Sequence, residues 1–257
     1  MKRICVFAYG IACYGVFFAT LLYAIGFLGN FGVPKSIDSG PTRSLVSALG
    51  IDIALLALFA LQHSIMARPW FKRAWTRLVP EPAERSTYVL FSSLALLGVF
   101  WWWEPIGGVV WNVGDGIMNA VLTGSYVLGL LIVLVSTFLI NHFDLFGLRQ
   151  VWLYLQGVPY THLKFRTPYF YRYVRHPLYV GWLLSFWCAP VMTTAHLLFA
   201  AMTTAYILVA IQFEEHDLIT FHGERYRDYR KQVPMLIPTI RPGVAEPDQL
   251  KSERATA

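Results

Sequence analysis

The chain has 257 residues, of which 56% are hydrophobic, 16% are aromatic and only 14% are charged, and its formal net charge is +6. Soluble domains average about 25% charged residues, whereas the stretches 4–34, 116–143 and 177–213 contain no charged side chain at all. Because apolar runs of about 18 residues or more can cross a hydrocarbon core, this composition excludes a soluble domain, a disordered chain and a disulfide-stapled secreted module.

The hydropathy pattern predicts an all-α polytopic membrane bundle of about six spans, at 4–28, 45–66, 87–103, 117–140, 178–190 and 195–213. The first run is too long for the apolar region of a signal peptide, which has about 7–15 residues. Asp52 lies inside the second span, where we expect an ionisable side chain to be buried in the bundle or paired. The last two spans should form a hairpin that turns at 189–194, with legs of about 17 residues each.

The distribution of basic residues predicts the orientation of the spans. Cytoplasmic loops are rich in Lys and Arg, and a cytoplasmic N-terminus places 19 of the 21 basic residues inside, leaving out only Lys35 and Arg43. Both termini are therefore expected in the cytoplasm. The net charge reflects mostly this bias, so no nucleic-acid partner is predicted. We expect the tryptophans at 101–103 to form part of an interfacial belt.

The domain organisation is expected to be simple. One membrane domain covers 1–241, and the small polar residues of 242–257 predict a disordered tail. Cys5, Cys13 and Cys188 all lie in apolar runs, and the sequence contains no C-x-x-C pair. Neither a disulfide framework nor a metal site is predicted.

Polar chemistry has room only in the segments 141–176 and 214–257, which flank the hairpin. Pro177 suits the first position of a helix, so His176 should be its N-cap, with Arg175 beside it and Tyr179 one turn further. The free N–H groups of a helix start attract anions. The pattern is typical of a carboxylate pocket at the membrane surface, and a basic interfacial anchor explains it equally well.

Two acidic residues follow the hairpin. One alternative is that Glu214 or Glu215 faces His176 and Arg175 across the hairpin mouth, and the other is a solvated helix start. The segment 221–229 then predicts a short amphipathic helix that closes over the mouth and ends at 233–234. Tyr226 and Tyr229 should share one face of it, extended by Phe221.

Paired motifs and the turn residues after them resemble the isoprenylcysteine carboxyl methyltransferase superfamily of integral-membrane methyltransferases: Arg175-His176-Pro177-Leu178-Tyr179-x-Gly181, then Glu214-Glu215-x-x-Leu218, Gly223, Tyr226, Tyr229, Val233-Pro234 and Pro238. The segments 29–31, 34–38 and 141–150 extend the likeness over the whole chain to the bacterial methanethiol S-methyltransferase branch, which makes dimethyl sulfide with S-adenosylmethionine. The resemblance implies an enzyme of the bacterial inner membrane, embedded in lipid, with a small thiol as substrate.

The resemblance also implies a cytoplasmic cofactor pocket within 141–238. The positions that match residues lining S-adenosylmethionine in the family are Gln156, Leu163, Lys164, Phe165, Arg166, Tyr171, His176, Pro177, Leu178, Tyr179 and Glu214. The chemistry of the side chains at and beside these positions is consistent with binding of S-adenosylmethionine. Arg175 and His176 suit a methionyl carboxylate, Glu214 suits an ammonium or a ribose hydroxyl, and the two tyrosines offer faces to adenine or to the sulfonium.

One departure from the superfamily pattern concerns the acceptor. Carboxyl methyltransferases of this superfamily place an Arg about one turn before the Glu, whereas 209–213 here contain no base. A buried carboxylate without a partner is costly, so a small neutral or thiol substrate is favoured. Open alternatives are another small thiol, a lipid amine or an isoprenoid-linked acceptor, and a non-catalytic membrane factor of nitrogen-oxide respiration.

Methyl transfer to sulfur requires a thiolate held in line with the sulfonium. His142 is a candidate base and Asp144 its orienting carboxylate, although positions i and i+2 face each other only if the helix ends there. Arg149 is an alternative electrostatic stabiliser. The alternative interpretation is that His142 and Asp144 only anchor the interface. His63 and His196, within or beside apolar spans, are not favoured as catalytic residues.

Overall fold

The computed structural model describes residues 1–41 and 43–238, so the tail predicted at 242–257 lies outside the described residues. The described chain is mainly helical. Its α-helices are α1 (Lys2–Gly29), α2 (Leu45–Ala67), α3 (Pro69–Trp75), α4 (Glu84–Trp102), α5 (Ile117–Ile140), α6 (His142–Leu145), α7 (Leu148–Gln156), α8 (Pro177–Trp187), α9 (Thr194–His222) and α10 (Glu224–Gln232). Two short strands, β1 (Val109–Asn112) and β2 (Val191–Thr193), and two 3-10 helices, Glu81–Ala83 and Tyr169–Arg172, complete it.

Each predicted span coincides with a helix, but the helices differ in length. Among the described residues, α1, α2, α5 and α9 are long and apolar enough to cross a membrane. The expectation of two equal hairpin legs is wrong, because α8 has 11 residues and α9 has 29. At 1.5 Å per residue α8 is about 16 Å long, roughly half the thickness of a hydrocarbon core.

The early end of α8 and the late end of α9 have local causes. Proline disfavours helix in the residue before it, so Pro190 disfavours helix at Ala189, which directly follows Cys188, the C-cap of α8. The chain then enters β2, which pairs antiparallel with β1, with Val109 opposite Thr193 and Asn112 opposite Val191. In contrast, 214–222 contain no Pro or Gly, so α9 continues until Gly223, whose φ of 62° ends it.

Contacts between distant residues give the relative direction of the helices. Tyr9 bonds Thr87 at 3.0 Å and Tyr23 stacks on Phe100, so α1 and α4 run parallel. Arg68, at the end of α2, is paired with Asp217 of α9 at 3.0 Å. The segments 68–83, 141–176 and 214–238 therefore lie at the same end of the bundle as the N-terminus, here called the N-terminal end.

A close helix crossing joins α5 and α8. A Cβ atom at Gly181 would lie 2.6 Å from the carbonyl oxygen of Gly129, and one at Gly129 would lie 2.6 Å from the carbonyl oxygen of Gly181. Small residues allow membrane helices to approach this closely. The crossing fixes α8 against α5 and so positions its N-terminus at 176–177.

Two residues whose surroundings were predicted from the hydropathy pattern, Asp52 and Trp103, are buried at the opposite end of the bundle. Asp52 is fully buried and accepts a hydrogen bond from the backbone N–H of Glu104 at 2.9 Å, which confirms the expected polar partner. Trp101 and Trp102 are exposed, but Trp103 is fully buried against Phe27 and Phe199. The assignment of Trp103 to an interfacial belt is therefore wrong.

Candidate functional site

A buried carboxylate joins α8, α9 and α10 at the N-terminal end of the bundle. Glu215, with a side chain only 4% exposed, accepts hydrogen bonds from Arg175 Nε at 2.7 Å and His176 Nε2 at 3.1 Å, and Arg230 Nε lies 3.3 Å away. Arg175 also donates to the backbone carbonyl of Arg230 at 3.1 Å. Arg175 is thus a structural tie between helices, and the expectation that it binds a methionyl carboxylate stays a prediction.

The neighbouring carboxylate of Glu214 has a different environment. Its side chain is 44% exposed, accepts a hydrogen bond from the Tyr179 hydroxyl at 2.9 Å, and lies 3.9 Å from His176 Nδ1. Burial, and then the nearby charge of Glu214, raise the pKa of Tyr171. The structure therefore brings together Tyr171, His176, Tyr179 and Glu214, which the motifs had nominated.

The cluster of Tyr171, Tyr179 and Glu214 is closed on one side by α10. Tyr226 is 1% exposed, and the Tyr229 hydroxyl donates to the backbone carbonyl of Tyr171 at 2.6 Å. This confirms a short helix over the hairpin mouth. Phe221 does not extend its face, because Phe221 belongs to the end of α9 and is 62% exposed.

The extended segment 158–168 lies over the ends of α9 and α10. Phe165 packs against His222, Tyr226 and Tyr229, with ring centroids 5.1–5.8 Å apart. Its neighbours Lys164 and Arg166 are exposed, whereas Leu163 is half-buried. Gln156 is exposed at the end of α7, and Pro177 and Leu178 begin α8 beside His176.

The structure separates His142 from Asp144. The Thr137 hydroxyl donates to the carbonyl of Leu134 at 2.7 Å, so it accepts from His142 Nδ1–H at 2.8 Å. The His142 Nε2 then accepts from the Tyr14 hydroxyl at 2.8 Å. Burial lowers the pKa of His142, so the neutral ring is favoured. A His142–Asp144 dyad is therefore not formed, although α5 does end just before it.

Asp144 instead pairs with Arg149. The Arg149 guanidinium lies 2.9 Å from Asp144 and donates to the backbone carbonyl of Thr161 at 2.9 Å. The Tyr160 hydroxyl donates to Asp144 at 3.3 Å. The Asp144–Arg149 pair thus fastens the extended segment to α6 and α7.

Sequence reasoning missed Tyr88 of α4 and Tyr206 of α9, and it did not favour His63 of α2, which they surround. The Tyr88 hydroxyl lies 2.8 Å from His63 Nε2, and the Tyr206 hydroxyl lies 3.2 Å from the Ser64 hydroxyl. The ring of Tyr206 also lies 6.5 Å from the imidazole of His63. A signal was present, since an ionisable residue such as His63 within an apolar span is a functional candidate by default.

The fold and this site define an integral-membrane helical protein with a carboxylate and several phenols gathered at one end of its bundle. Relatives of the same name match this chain over nearly its whole length. A protein named methanethiol S-methyltransferase from Crocosphaera subtropica is 62% identical over 240 residues, covering 93% of this chain and 94% of the relative. One of the same name from Mycobacterium tuberculosis is 49% identical over 238 residues, covering 93% of this chain and 98% of the relative.

A more distant similarity fits the wider isoprenylcysteine carboxyl methyltransferase-like membrane family. Nurim of Rattus norvegicus is 30% identical over 228 residues, covering 83% of this chain and 86% of the relative. No family model and no solved structure matches the chain. The chain belongs to the methanethiol S-methyltransferase family and is a methyltransferase.

Proposed function

We propose that the protein transfers a methyl group from S-adenosylmethionine to methanethiol and releases dimethyl sulfide. The observation that carries the proposal is the environment of Glu214. Its half-exposed carboxylate accepts a hydrogen bond from the Tyr179 hydroxyl, and burial together with the charge of Glu214 raises the pKa of Tyr171. The chain is 62% identical to a protein named methanethiol S-methyltransferase. A carboxylate next to aromatic faces is suited to a cationic ligand.

The residues of the site fit the proposed methyl donor. When bound, S-adenosylmethionine supplies a methyl group on a positively charged sulfur and carries an ammonium group. Glu214 is the available anion, because Glu215 is already bound by Arg175 and His176. The aromatic faces of Tyr171 and Tyr179 would contribute about 0.5–2 kcal/mol of cation–π attraction each.

The remaining proposed cofactor residues surround this centre. His176 Nδ1 faces Glu214, while Pro177 and Leu178 set the start of α8. On the other side we assign Gln156, at the end of α7, and four residues of the extended segment 158–168, here called the covering segment: Leu163, Lys164, Phe165 and Arg166. Phe165 anchors this segment to α10. In this role the segment excludes water from the reacting atoms, which favours transfer to a thiolate over side reactions.

A small uncharged acceptor is supported by the charge balance near Glu214. The turn at 209–213 has no basic residue. The guanidinium of Arg68 lies over the Phe213 ring at 5.3 Å, but it is paired with Asp217 at 3.0 Å. A substrate carboxylate placed here would compete with Asp217, whereas methanethiol carries no such group.

His142, Asp144 and Arg149 remain proposed catalytic residues with unequal support. The Nε2 of His142 is a proton acceptor only after the Tyr14 hydroxyl turns away. Asp144 and Arg149 hold the covering segment through Thr161, so their substitution should act on cofactor closure. The proposed setting is the bacterial inner membrane, with six crossings and with both termini and the cofactor pocket on the cytoplasmic side.

The test is a headspace assay on purified protein with S-adenosylmethionine and a panel of thiols. Dimethyl sulfide should form from methanethiol, and Glu214→Gln should lower its formation at least about tenfold, because hydrogen bonds to charged groups are worth about 1.5–3 kcal/mol. Glu224→Gln, at an exposed residue of α10, is the matched control and should leave the rate unchanged. Absence of dimethyl sulfide from the unsubstituted protein would contradict the proposal.

A further inference from the structure

The imidazole of His176, at the start of α8, is held in one tautomer by a buried carboxylate. Its Nε2 lies 3.1 Å from Oε1 of Glu215, whose side chain is 4% exposed. The same oxygen accepts from Arg175 at 2.7 Å, and Oε2 lies 3.3 Å from Arg230. An ionised carboxylate can only accept hydrogen bonds, so Nε2 carries the hydrogen. In the neutral ring, Nδ1 therefore carries the lone pair.

The lone pair on Nδ1 faces the cluster around Glu214. Nδ1 lies 3.9 Å from Oε2 of Glu214, which is longer than a hydrogen bond, and no group of the described residues donates a hydrogen bond to it. The same Oε2 accepts from the Tyr179 hydroxyl at 2.9 Å, which holds the carboxylate beside the ring. Two proton acceptors thus face each other with no proton between them, and this arrangement suits a ligand that donates one.

The charges around His176 stabilise a protonated ring. The charged groups at the ring or at its two carboxylates come from 175 and from α9 and α10, and they are Arg175, Glu214, Glu215 and Arg230. The phenols of the same cluster are Tyr171, Tyr179, Tyr226 and Tyr229, and phenols are neutral where an imidazole titrates. Both guanidinium groups are paired with Glu215, whereas an imidazolium has one carboxylate at each nitrogen. Opposite charges at this range favour the protonated form.

We propose that His176 takes the proton of the thiol substrate on Nδ1, with Glu215 as its positioning residue, an inference that rests on the proposed function. The S–H bond of the thiol breaks, and its proton forms a bond to Nδ1. The thiolate sulfur then forms the new S–C bond with the methyl carbon, and the electron pair of the broken carbon–sulfonium bond stays on the donor sulfur. The imidazolium finally releases its proton to water, past the half-exposed carboxylate of Glu214.

His142 is the competing acceptor, and its surroundings differ. Its Nδ1–H is fixed by Thr137, and its Nε2 accepts from the Tyr14 hydroxyl. Both nitrogens of His142 are therefore engaged by protein groups. In His176 only Nε2 is engaged in this way, and Nδ1 is directed at the proposed cofactor site. A base held by a carboxylate on its far side is the usual arrangement for activating a nucleophile.

The experiment compares a nucleophile that must lose a proton with one that has already lost it. Methaneselenol has nearly the shape of methanethiol, but selenols are ionised near neutral pH. Glutamine at 176 offers an N–H donor to Glu215 but no basic nitrogen. His176→Gln should lower kcat/KM for methanethiol about a hundredfold or more, within the range of general base catalysis, and turnover of methaneselenol should fall far less. The loss for methanethiol should shrink as pH rises, because the fraction of thiolate in solution increases.

Two measurements test the role of Glu215. In the unsubstituted protein kcat/KM for methanethiol should fall at acidic pH, where the imidazole already carries a proton. Glu215→Gln removes a negative charge beside Nε2 and should move this fall to lower pH, whereas a purely structural role would lower activity without moving it. NMR of cofactor-free protein labelled with 15N-histidine, assigned by comparison with His176→Gln, should show the neutral ring of His176 with its hydrogen on Nε2. A hydrogen on Nδ1 would overturn the inference.

Controls separate a failed inference from a failed function. His216→Gln changes an exposed histidine of α9 and should leave both substrates unaffected. Calorimetry with S-adenosylhomocysteine should show that His176→Gln still binds the cofactor product. Equal losses of thiol and selenol turnover, matched by a loss of this affinity, would assign His176 to cofactor binding alone and overturn the inference. So would a thiol-selective loss in His142→Gln without one in His176→Gln. Failure of the proposed function is visible earlier, as no dimethyl sulfide from the unsubstituted protein.

Discussion

Replacing Glu215 by glutamine tests the buried junction that positions the site. The carboxylate is 4% exposed and lies 2.7 Å from Arg175 and 3.1 Å from His176. Glu215→Gln keeps the size of the side chain but leaves the guanidinium of Arg175, which is 9% exposed, without its counter-charge. Removing one partner of a buried ion pair costs about 3–5 kcal/mol.

The expected effect is large enough for a thermal assay. Each kcal/mol shifts Tm by about 2–4 °C for a chain of this length, so Glu215→Gln should lower Tm in detergent by roughly 6–20 °C. The matched control is Glu224→Gln, which removes the carboxylate of the exposed Arg227–Glu224 pair. Exposed pairs contribute about 0–1 kcal/mol, so this control should shift Tm by only a few degrees.

A double variant tests whether the unpaired charge of Arg175, rather than the altered side chain at 215, causes the loss of stability. Adding Arg175→Met to Glu215→Gln removes both charges, and replacement of a whole buried pair is often close to neutral. The double variant should therefore regain a substantial part of the lost stability. Equal Tm shifts for Glu215→Gln and Glu224→Gln, or strictly additive losses in the double variant, would refute the assignment of Glu215 as a buried structural tie.

Three further predictions follow from the helix crossing, the Glu214 cluster and His142. Gly181→Val should lower stability by about 1–3 kcal/mol, the range for overpacking, because a Cβ atom there lies 2.6 Å from the carbonyl oxygen of Gly129. The control is Gly124→Val, where a Cβ atom has no neighbour within 4 Å, and it should not lower Tm comparably. Tyr179→Phe removes the hydrogen bond to Glu214 and should weaken S-adenosylhomocysteine binding about tenfold or more by calorimetry, with little change in Tm; an unchanged affinity would argue against the site. Burial lowers the pKa of His142, so the imidazole binds a proton more tightly in the unfolded chain than in the folded one. Stability therefore falls as pH drops below the ordinary pKa of histidine. His142→Gln should reduce the loss of Tm between neutral pH and about pH 5, and an unreduced loss would contradict the buried neutral ring.

The helices that could be predicted are those whose signal lies within one segment of sequence. Charge-free runs such as 117–140 are long enough to identify a span by themselves, and the observed α5 has those bounds. The strand that follows α8 depended on a partner far away, because β2 pairs with β1, about eighty residues earlier in the chain. A four-residue strand such as Val109–Asn112 carries little signal of its own.

Burial within a helix end was harder to predict than the helix itself. Trp101, Trp102 and Trp103 follow one another at about 100° per residue around a helix axis, so they cannot all face the same environment. Composition alone does not say which one turns inward. The structure buries Trp103 and leaves the other two exposed.

The candidate site shows the same limit. The motifs identified His176, Tyr179 and Glu214 as site residues. They did not show that the carboxylates of Glu214 and Glu215 point in different directions, with Glu215 in the buried ion pairs and Glu214 bonded to Tyr179. His63, Tyr88 and Tyr206 come from three helices, so their meeting depends on packing that one sequence does not encode locally. Asp144 pairs with Arg149, five residues later in the chain, because α6 and α7 are joined by a tight turn at Gly147.

The most direct test of the central claim follows the methyl group itself. Purified protein should be incubated with methanethiol and S-adenosylmethionine carrying a trideuteromethyl group, and the headspace analysed by mass spectrometry. We predict dimethyl sulfide with one deuterated methyl group, formed by the unsubstituted protein and by Glu224→Gln and strongly reduced in Glu214→Gln. Unlabelled dimethyl sulfide, or no dimethyl sulfide at all, would contradict methyl transfer from this donor to methanethiol.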